Sequence, residues 1–545
     1  MKNDKYLPPE PTAFGLASAP PQAAVNYPPP SYSQHAFPPQ GPSLQPGYPP
    51  PPVQQGYAPQ QDFAQPGYTQ QVYPTQGYPA QAYPPQSFAP PPQVYVQPAQ
   101  HYVPPPPPLP TILLVRPLGW YQRTKINRPQ MNVLSAATFI FATGGMNIAW
   151  SIGFQVNDRL DNHIRAAWFI GAIIGAAIAA FLPRVLPRRV ITSSTHNDLS
   201  ALQAHLYLNG IANGLAFAPT LALAGELAVF YMRGKISAST EQLSFNLGIF
   251  LQIIIAATYS QNYNYNNDYH HELVGGIIAA VFGFLGIVFA ALMFIESPVT
   301  LVASGREQAA VDALRRLQRL FTPHDQTLAQ LEEHKRYVAD NQNLATEESF
   351  SRALPAFFKL AALRCVNAIS ISSFFCEMLS YSSIYAIEMR IIIFGAARLL
   401  GSCIGALVVD SLGRKGPTVV GFAGATAFAF VAASQTVFGY HDVVFWLYFF
   451  EFFAGLALTI TSAYLSEAYP LNVKQHFISF TFIVEMLIFI IIGSCDLVQE
   501  FLYIVGGICA GAFVLGILCL PETRRTTLRV AQQRFTSFVS LCSNS

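Results

Sequence analysis

Apolar runs of about 20 residues, the length that crosses the hydrocarbon core as a helix, recur through residues 131–300 and 355–520 and are almost absent from residues 1–110. They predict eleven spans, near 131–155, 165–187, 206–231, 237–260, 273–295, 357–379, 391–411, 416–438, 443–466, 477–498 and 500–520. Between the fifth and sixth, residues 298–350 are polar and carry amphipathic pieces such as REQAAVDALRRLQRL. Residues 1–110 are rich in Pro, Gln, Tyr, Ala and Gly, with repeats such as PGY, QGY and AYPPQ. That composition buries too little apolar surface to offset ordering entropy, so it predicts a disordered, polyproline-biased tail. The expected organisation is a tail over 1–115, a transmembrane half over 131–297, a helical linker over 298–352, a second transmembrane half over 353–522 and a short tail over 523–545. The fold class is an all-α membrane protein embedded in a lipid bilayer.

Composition agrees. The 545 residues are 51% hydrophobic and 11% charged, against about 25% charged for a soluble chain. A net charge of +2 without a basic, aromatic-studded patch gives no reason to expect nucleic acid. The seven cysteines show no CxxC pair or His/Cys cluster, so neither a metal nor a disulfide framework is expected. There is no GxxxxGK[ST] motif and no nucleophile–base constellation, so neither a cofactor nor an enzyme is expected. MKNDKYLPPEP lacks the apolar centre of a cleavable signal peptide. In the tail, Pro29-Pro30-Ser31-Tyr32 fits the PPxY pattern bound by WW domains, and Pro104 to Pro110 offers PxxP to SH3-type grooves. Composition alone also generates such matches, which leaves a plain spacer as the other reading.

Lys and Arg mark the cytoplasmic side. Arg123, Lys125, Arg128, Arg188, Arg189, Arg233, Lys235, the 298–350 loop, Arg414, Lys415, Arg524, Arg525 and Arg529 form the basic set, whereas QNYNYNNDYHH, GYHD and DLVQE carry no Lys or Arg. Both termini are therefore expected in the cytoplasm, with the plasma membrane as default. One pair conflicts. Arg188/Arg189 and Arg233/Lys235 both belong inside, yet a single credible span separates them. The intervening VITSSTHNDLSALQAH is polar and too short to cross comfortably.

A weak internal repeat measures the gap. Gly175 precedes Arg184 by nine residues, as Gly401 precedes Asp410; Glu226 precedes Arg233 by seven, as Glu467 precedes Lys474. From Arg184 to Glu226 is 42 residues, and from Asp410 to Glu467 is 57, so the first copy is 15 shorter. Parallel six-span halves are a known way to build a transporter. The charge conflict and the repeat both point to a lost third span.

Over roughly 131–530 the chain resembles the sugar porters, the glucose-transporter-like branch of the major facilitator superfamily. The resemblance rests on DSLGRK at 410–415, FIESPVTLVASGREQAAVDALRRL at 294–317, EAYPLNVK at 467–474, GELAVFYMRGK at 225–235, EQLSFNLGIF at 241–250 and LPETRRTTL at 520–528, in this order. It implies two six-helix halves, the third helix truncated or missing, and a cytoplasmic gate of Asp410, Arg414, Lys415, Glu467, Lys474, Glu226, Arg233 and Glu296. Exposed ion pairs contribute about 0–1 kcal/mol each, but several together bias two closely balanced states. Ordinary positive-inside charge explains the bases and not the acids at matched spacing. The first copy has Arg184 in place of the acid and Pro187 in place of the glycine, so its half of the latch is expected to be like-charged.

The same resemblance makes Gln242 a sugar ligand, sets Asn147 where related proton symporters have an acid, an amide there favouring a uniporter, and sets Asn367 where the seventh family helix has an Asn. For Asn147 and Asn367, hydrogen bonding between helices serves equally well. The chain departs from the pattern elsewhere: Ala361 and Ala362 replace two Gln residues, Ser462 falls at a Trp position, and Glu485-Met486 falls near an Asn-Trp pair. Glu485, alone in FISFTFIVEMLIFIIIG, is a functional candidate by default. It fits a protonated acid on a substrate, a proton-coupling site, or a neutral Glu bonded to a neighbouring helix. Glu451 raises the same question nearer the extracellular end. The reading favoured is a facilitative carrier of a small solute, a sugar or polyol, by alternating access. The alternatives are a proton-coupled carrier of another solute and a non-transporting, carrier-like sensor or scaffold.

Overall fold

The computed structural model describes residues 124–154, 161–181, 199–260, 271–318, 325–381, 387–436, 443–495 and 500–539. The tail with Pro29, Pro30 and Tyr32, the first-copy residues Arg184 and Pro187, and Arg188 and Arg189 lie outside them.

The first half runs α1 (Arg128–Val133), α2 (Ser135–Ser151), α3 (Asn162–Phe181), α4 (Leu199–Leu227), α5 (Arg233–Thr240), α6 (Gln242–Ser260) and α7 (His271–Met293). Three short linker helices follow, α8 (Pro298–Ala303), α9 (Glu307–Arg316) and α10 (Asp325–Gln342). Ser297 caps α8 by accepting the Thr300 N–H, with Pro298 pre-set for the first turn. The second half runs α11 (Thr346–Ser370), α12 (Ser373–Tyr381), α13 (Ile387–Val408), α14 (Lys415–Gln435), α15 (Val443–Thr459), α16 (Thr461–Glu467), α17 (Lys474–Gly493) and α18 (Phe501–Cys519), with α19 (Leu528–Phe535) last.

Each of the eleven apolar runs carries helix. Ten helices among the described residues are long and apolar enough to cross a membrane. The remaining run, 131–155, corresponds to α2, which has 17 residues and joins α1 through Leu134 alone. Helix α11 begins at Thr346, inside the polar segment, so linker passes into span without a break.

The repeat is visible as packing. Helices α13 and α15 lie so close that a Cβ on Gly401 would sit 2.0 Å from the Phe452 carbonyl oxygen, and α3 and α4 so close that one on Gly175 would sit 2.2 Å from that of Ile211. Both pairs run parallel, because Gly405 likewise faces Leu456 and Gly171 faces Tyr207. Gly401 and Phe452 are 51 residues apart and Gly175 and Ile211 are 36 apart, again 15 fewer. In the second half α14 supplies the crossing between the parallel pair and packs against α15 and α18. In the first half no helix among the described residues holds the equivalent place beside α4 and α7, and Ile277, Val281, Phe284 and Leu292 of α7 are exposed. Residues 182–198, where a third span would fall, lie outside the described residues.

The halves meet where α17 packs on α3 and α4, α13 on α6, and α16 on α4 and α5.

Candidate functional site: a buried ion network between the halves

Midway along the bundle, Arg364 of α11 donates to both oxygens of Glu241, Nη1 to Oε1 at 2.8 Å and Nη2 to Oε2 at 2.7 Å. Glu241 belongs to the first half, at the junction where α5 ends and α6 begins, so this fork spans the boundary. Gln242 Nε2 donates to Glu241 at 2.8 Å and Ser462 Oγ at 2.5 Å. The Arg364 Nη1 group also reaches Glu485 Oε2 of α17, at a longer 3.3 Å. Glu485 accepts a second hydrogen bond from Asn367 Nδ2 at 2.5 Å. All of these ionisable side chains are buried, and buried charges persist only when paired.

Asn367 links this triad to a second pair. Its Oδ1 accepts from Arg398 Nη2 at 2.9 Å, while Arg398 Nη1 donates to Glu451 Oε2 at 2.7 Å and Arg398 Nε to Asn246 Oδ1 at 3.0 Å. Asn246 donates in turn to Ser402 Oγ at 2.7 Å. A small cavity of about 20 Å³ lies beside these groups. Gln242, Asn246, Asn367, Arg398, Glu241 and Glu485 form its polar lining, and Phe245, Phe482 and Phe489 its aromatic walls. Phe217 stacks on Phe482 at 4.0 Å and Phe169 on Phe489 at 4.9 Å, both across the boundary.

The basic end of the bundle is closed by a second network. Gly413 turns the chain with φ +103° before Arg414. Arg414 pairs with Glu467 and, at 3.5 Å, with Asp410, and its Nη1 also donates to the Thr523 carbonyl at 2.8 Å. Glu467 is shared with Arg233 of the first half at 3.5 Å. Asp410 accepts the N–H groups of Gly234 at 3.2 Å and Lys235 at 2.7 Å, and Ser237 donates to Ser466 at 2.9 Å. Lys474 lies 3.9 Å from Glu226, whose other oxygen accepts from Ser297 at 2.6 Å. Burial pushes the Asp410 carboxyl up, against the pull of Arg414 and the two N–H groups. Burial would lower Arg414, but Glu467 and Asp410 hold it above its ordinary value.

Two expected gate members sit differently. Glu296 is exposed and pairs with Arg306 at 2.8 Å, so it takes no part in the closed end; a surface partner ten residues away satisfies it. Lys415 contributes its backbone N–H, which donates to Glu522 at 3.0 Å. Glu522, which the sequence reading passed over, also accepts the Arg414 N–H at 2.9 and 3.1 Å and so tethers the chain after α18 to the start of α14.

The expected ligands divide. Gln242, Asn367 and Glu485 line the cavity. Ser462 is committed to Glu241. Asn147 lies instead in a packing network, donating to Asn209 Oδ1 at 3.0 Å, where Trp168 Nε1 and Asn213 Nδ2 also converge. Glu241, Arg364 and Arg398 were missed. An ionisable residue inside an apolar span is the signal that finds them, and it applies to both arginines as it does to Glu485.

Two helical halves related by a repeat, a small cavity between them and an ionic closure at one end define a major facilitator-type carrier. The chain belongs to the Sugar (and other) transporter family, whose profile matches residues 166–535. Its fold is similar to that of the proton:xylose symporter XylE bound to 6-bromo-6-deoxy-D-glucose, at 15% identity and a TM-score of 0.62, covering 76% of this chain and 99% of that one. It is also similar to the partially occluded inward-open form of the E. coli xylose transporter XylE, at 16% identity and a TM-score of 0.53, covering 72% of this chain and 97% of that one. At these identities the likeness is one of fold. No curated protein matches the chain.

Proposed function

We propose that the protein carries a sugar or polyol across the membrane by alternating access, the two halves rocking about the central cavity. The observation that carries this is the cavity itself: amides from both halves, Gln242 and Asn246 on one side and Asn367 on the other, converge beside the Phe245, Phe482 and Phe489 rings. Amides match ring hydroxyls and aromatic faces match the apolar side of a sugar. The basic end faces the cytoplasm under the positive-inside rule, which places both termini there, with the plasma membrane as the site of action and Pro29, Pro30 and Tyr32 available to a WW domain. The closure around Glu467 then describes a carrier shut on its cytoplasmic side.

The test is uptake of labelled D-xylose and D-glucose into liposomes holding the purified chain. Saturable uptake, reduced at least about tenfold by Asn367→Ala through loss of one buried hydrogen bond and its partners, is the expected result. Uptake equal to that of empty liposomes for both sugars and for sorbitol overturns the reading.

A further inference from the structure

The central network holds one acid too many. Arg398 and Glu451 form a balanced pair, since the other partners of Arg398 are the neutral side chains of Asn246, Asn367 and Ser370. Arg364 instead stands between two carboxylates. It gives Glu241 a two-pronged fork at 2.7 and 2.8 Å, and Glu241 gains Gln242 and Ser462 besides. Glu485 has the neutral Asn367 amide at 2.5 Å, but its one cationic contact is at 3.3 Å, from an Nη1 already committed to Glu241. An uncompensated carboxylate in an apolar span is costly, and binding a proton removes that cost.

We propose that Glu485 is a proton-binding site, and that its proton decides which carboxylate Arg364 serves. The charged and titratable groups facing Glu485 are Arg364 and Cys365 from α11 and Glu241 from the head of α6. Arg398 and Glu451 lie one amide further, through Asn367. Helices α3 and α4 face the same stretch of α17 with the rings of Phe169 and Phe217. With Glu485 protonated, Arg364 belongs wholly to Glu241 and ties the second half to the first. With Glu485 ionised, a carboxylate of Arg364's own half competes for the guanidinium and loosens the bridge. Proton occupancy thus biases the balance between bridged and separated halves, as any ligand with differential affinity for two states does. On the carrier reading above, on which this coupling step rests, the transported solute moves with a proton.

The experiment is an infrared pH titration of the full-length chain in liposomes, with no solute present. The expected result is a protonated-carboxyl C=O band at neutral pH that shifts in D₂O, disappears in Glu485→Gln and changes frequency in Glu485→Asp. No such band at neutral pH, or a band that survives Glu485→Gln, overturns the proposal. If the Gln variant does not reconstitute, an unchanged band in Glu485→Asp overturns it equally. The band is read without sugar, so an uptake assay that fails leaves this result standing, and the reverse holds too.

Discussion

Arg364 on α11 holds Glu241, at the head of α6, in a two-pronged ion pair of 2.7 and 2.8 Å across the boundary between the halves. Both side chains are fully buried. Removing one member of such a pair leaves an unmatched buried charge and costs about 3–5 kcal/mol. Arg364→Met is therefore expected to lower stability by that amount, and Arg364→Met with Glu241→Gln to recover at least about 1 kcal/mol of it. Sugar uptake stays lost in both. Thermal unfolding of the wild type, Arg364→Met, Glu241→Gln and the double variant in detergent checks this, and additive losses in the double variant would remove the pairing from the account.

That pair also shows how far the sequence could be read. The spans, the repeat and the 15-residue deficit were legible because each depends on a local quantity: the length of an apolar run, the sign of a loop, or the spacing of Gly175 and Gly401 from their charged tips. Glu485 and Glu451 stood out as acids in apolar runs. Their partners did not, because Arg364 lies 121 residues from Glu485 and Arg398 lies 53 from Glu451, and periodicity does not say which helices meet. Glu241 was hidden by its position beside Gln242, which the family resemblance had singled out. Asn147 was placed by the same resemblance, and the nearby Asn209 holds it within the first half.

Glu467 serves two masters, Arg414 of its own half and Arg233 of the other. Glu467→Gln removes the carboxylate that those two buried guanidiniums share and leaves Arg414 the longer 3.5 Å pairing with Asp410. Closure of the basic end is expected to weaken by at least about 1.4 kcal/mol, a tenfold change in the population of the open form. Spin-label distances between α5 and α16 would report it as a second, longer population. An unchanged distance distribution would mean that Asp410 and the Ser237–Ser466 contact close the end unaided.

His334 of α10 is buried, and burial together with the charge of Arg233 lowers its pKa to about 4. The ordinary value is 6.5, so between those limits the unfolded chain binds the extra proton and the folded chain does not. Stability is therefore complete above pH 6.5 and is lost as pH falls toward 4, by about 3 kcal/mol at most from this group. The expected outcome is an acid-side drop in unfolding temperature that is reduced in His334→Gln. Parallel pH curves for the two proteins would exclude His334 as its source.

Gly175 and Gly401 carry the same burden in the two halves, and substitution should treat them alike. A methyl group at either meets a backbone carbonyl at 2.2 or 2.0 Å, so the helix pair must move apart, and overpacking of this kind costs about 1–3 kcal/mol. Gly507 of α18 has nothing within 4 Å of its Cβ position, so Ala there meets no obstacle and gains helix propensity of about 0.5–1 kcal/mol. Gly175→Ala and Gly401→Ala should therefore lower the unfolding temperature in detergent while Gly507→Ala leaves it unchanged or raises it. If Gly175→Ala proved harmless and Gly401→Ala did not, the first half would pack its parallel pair more loosely than the second, and the equivalence of the two pairs would fail beside the place where no third crossing lies among the described residues.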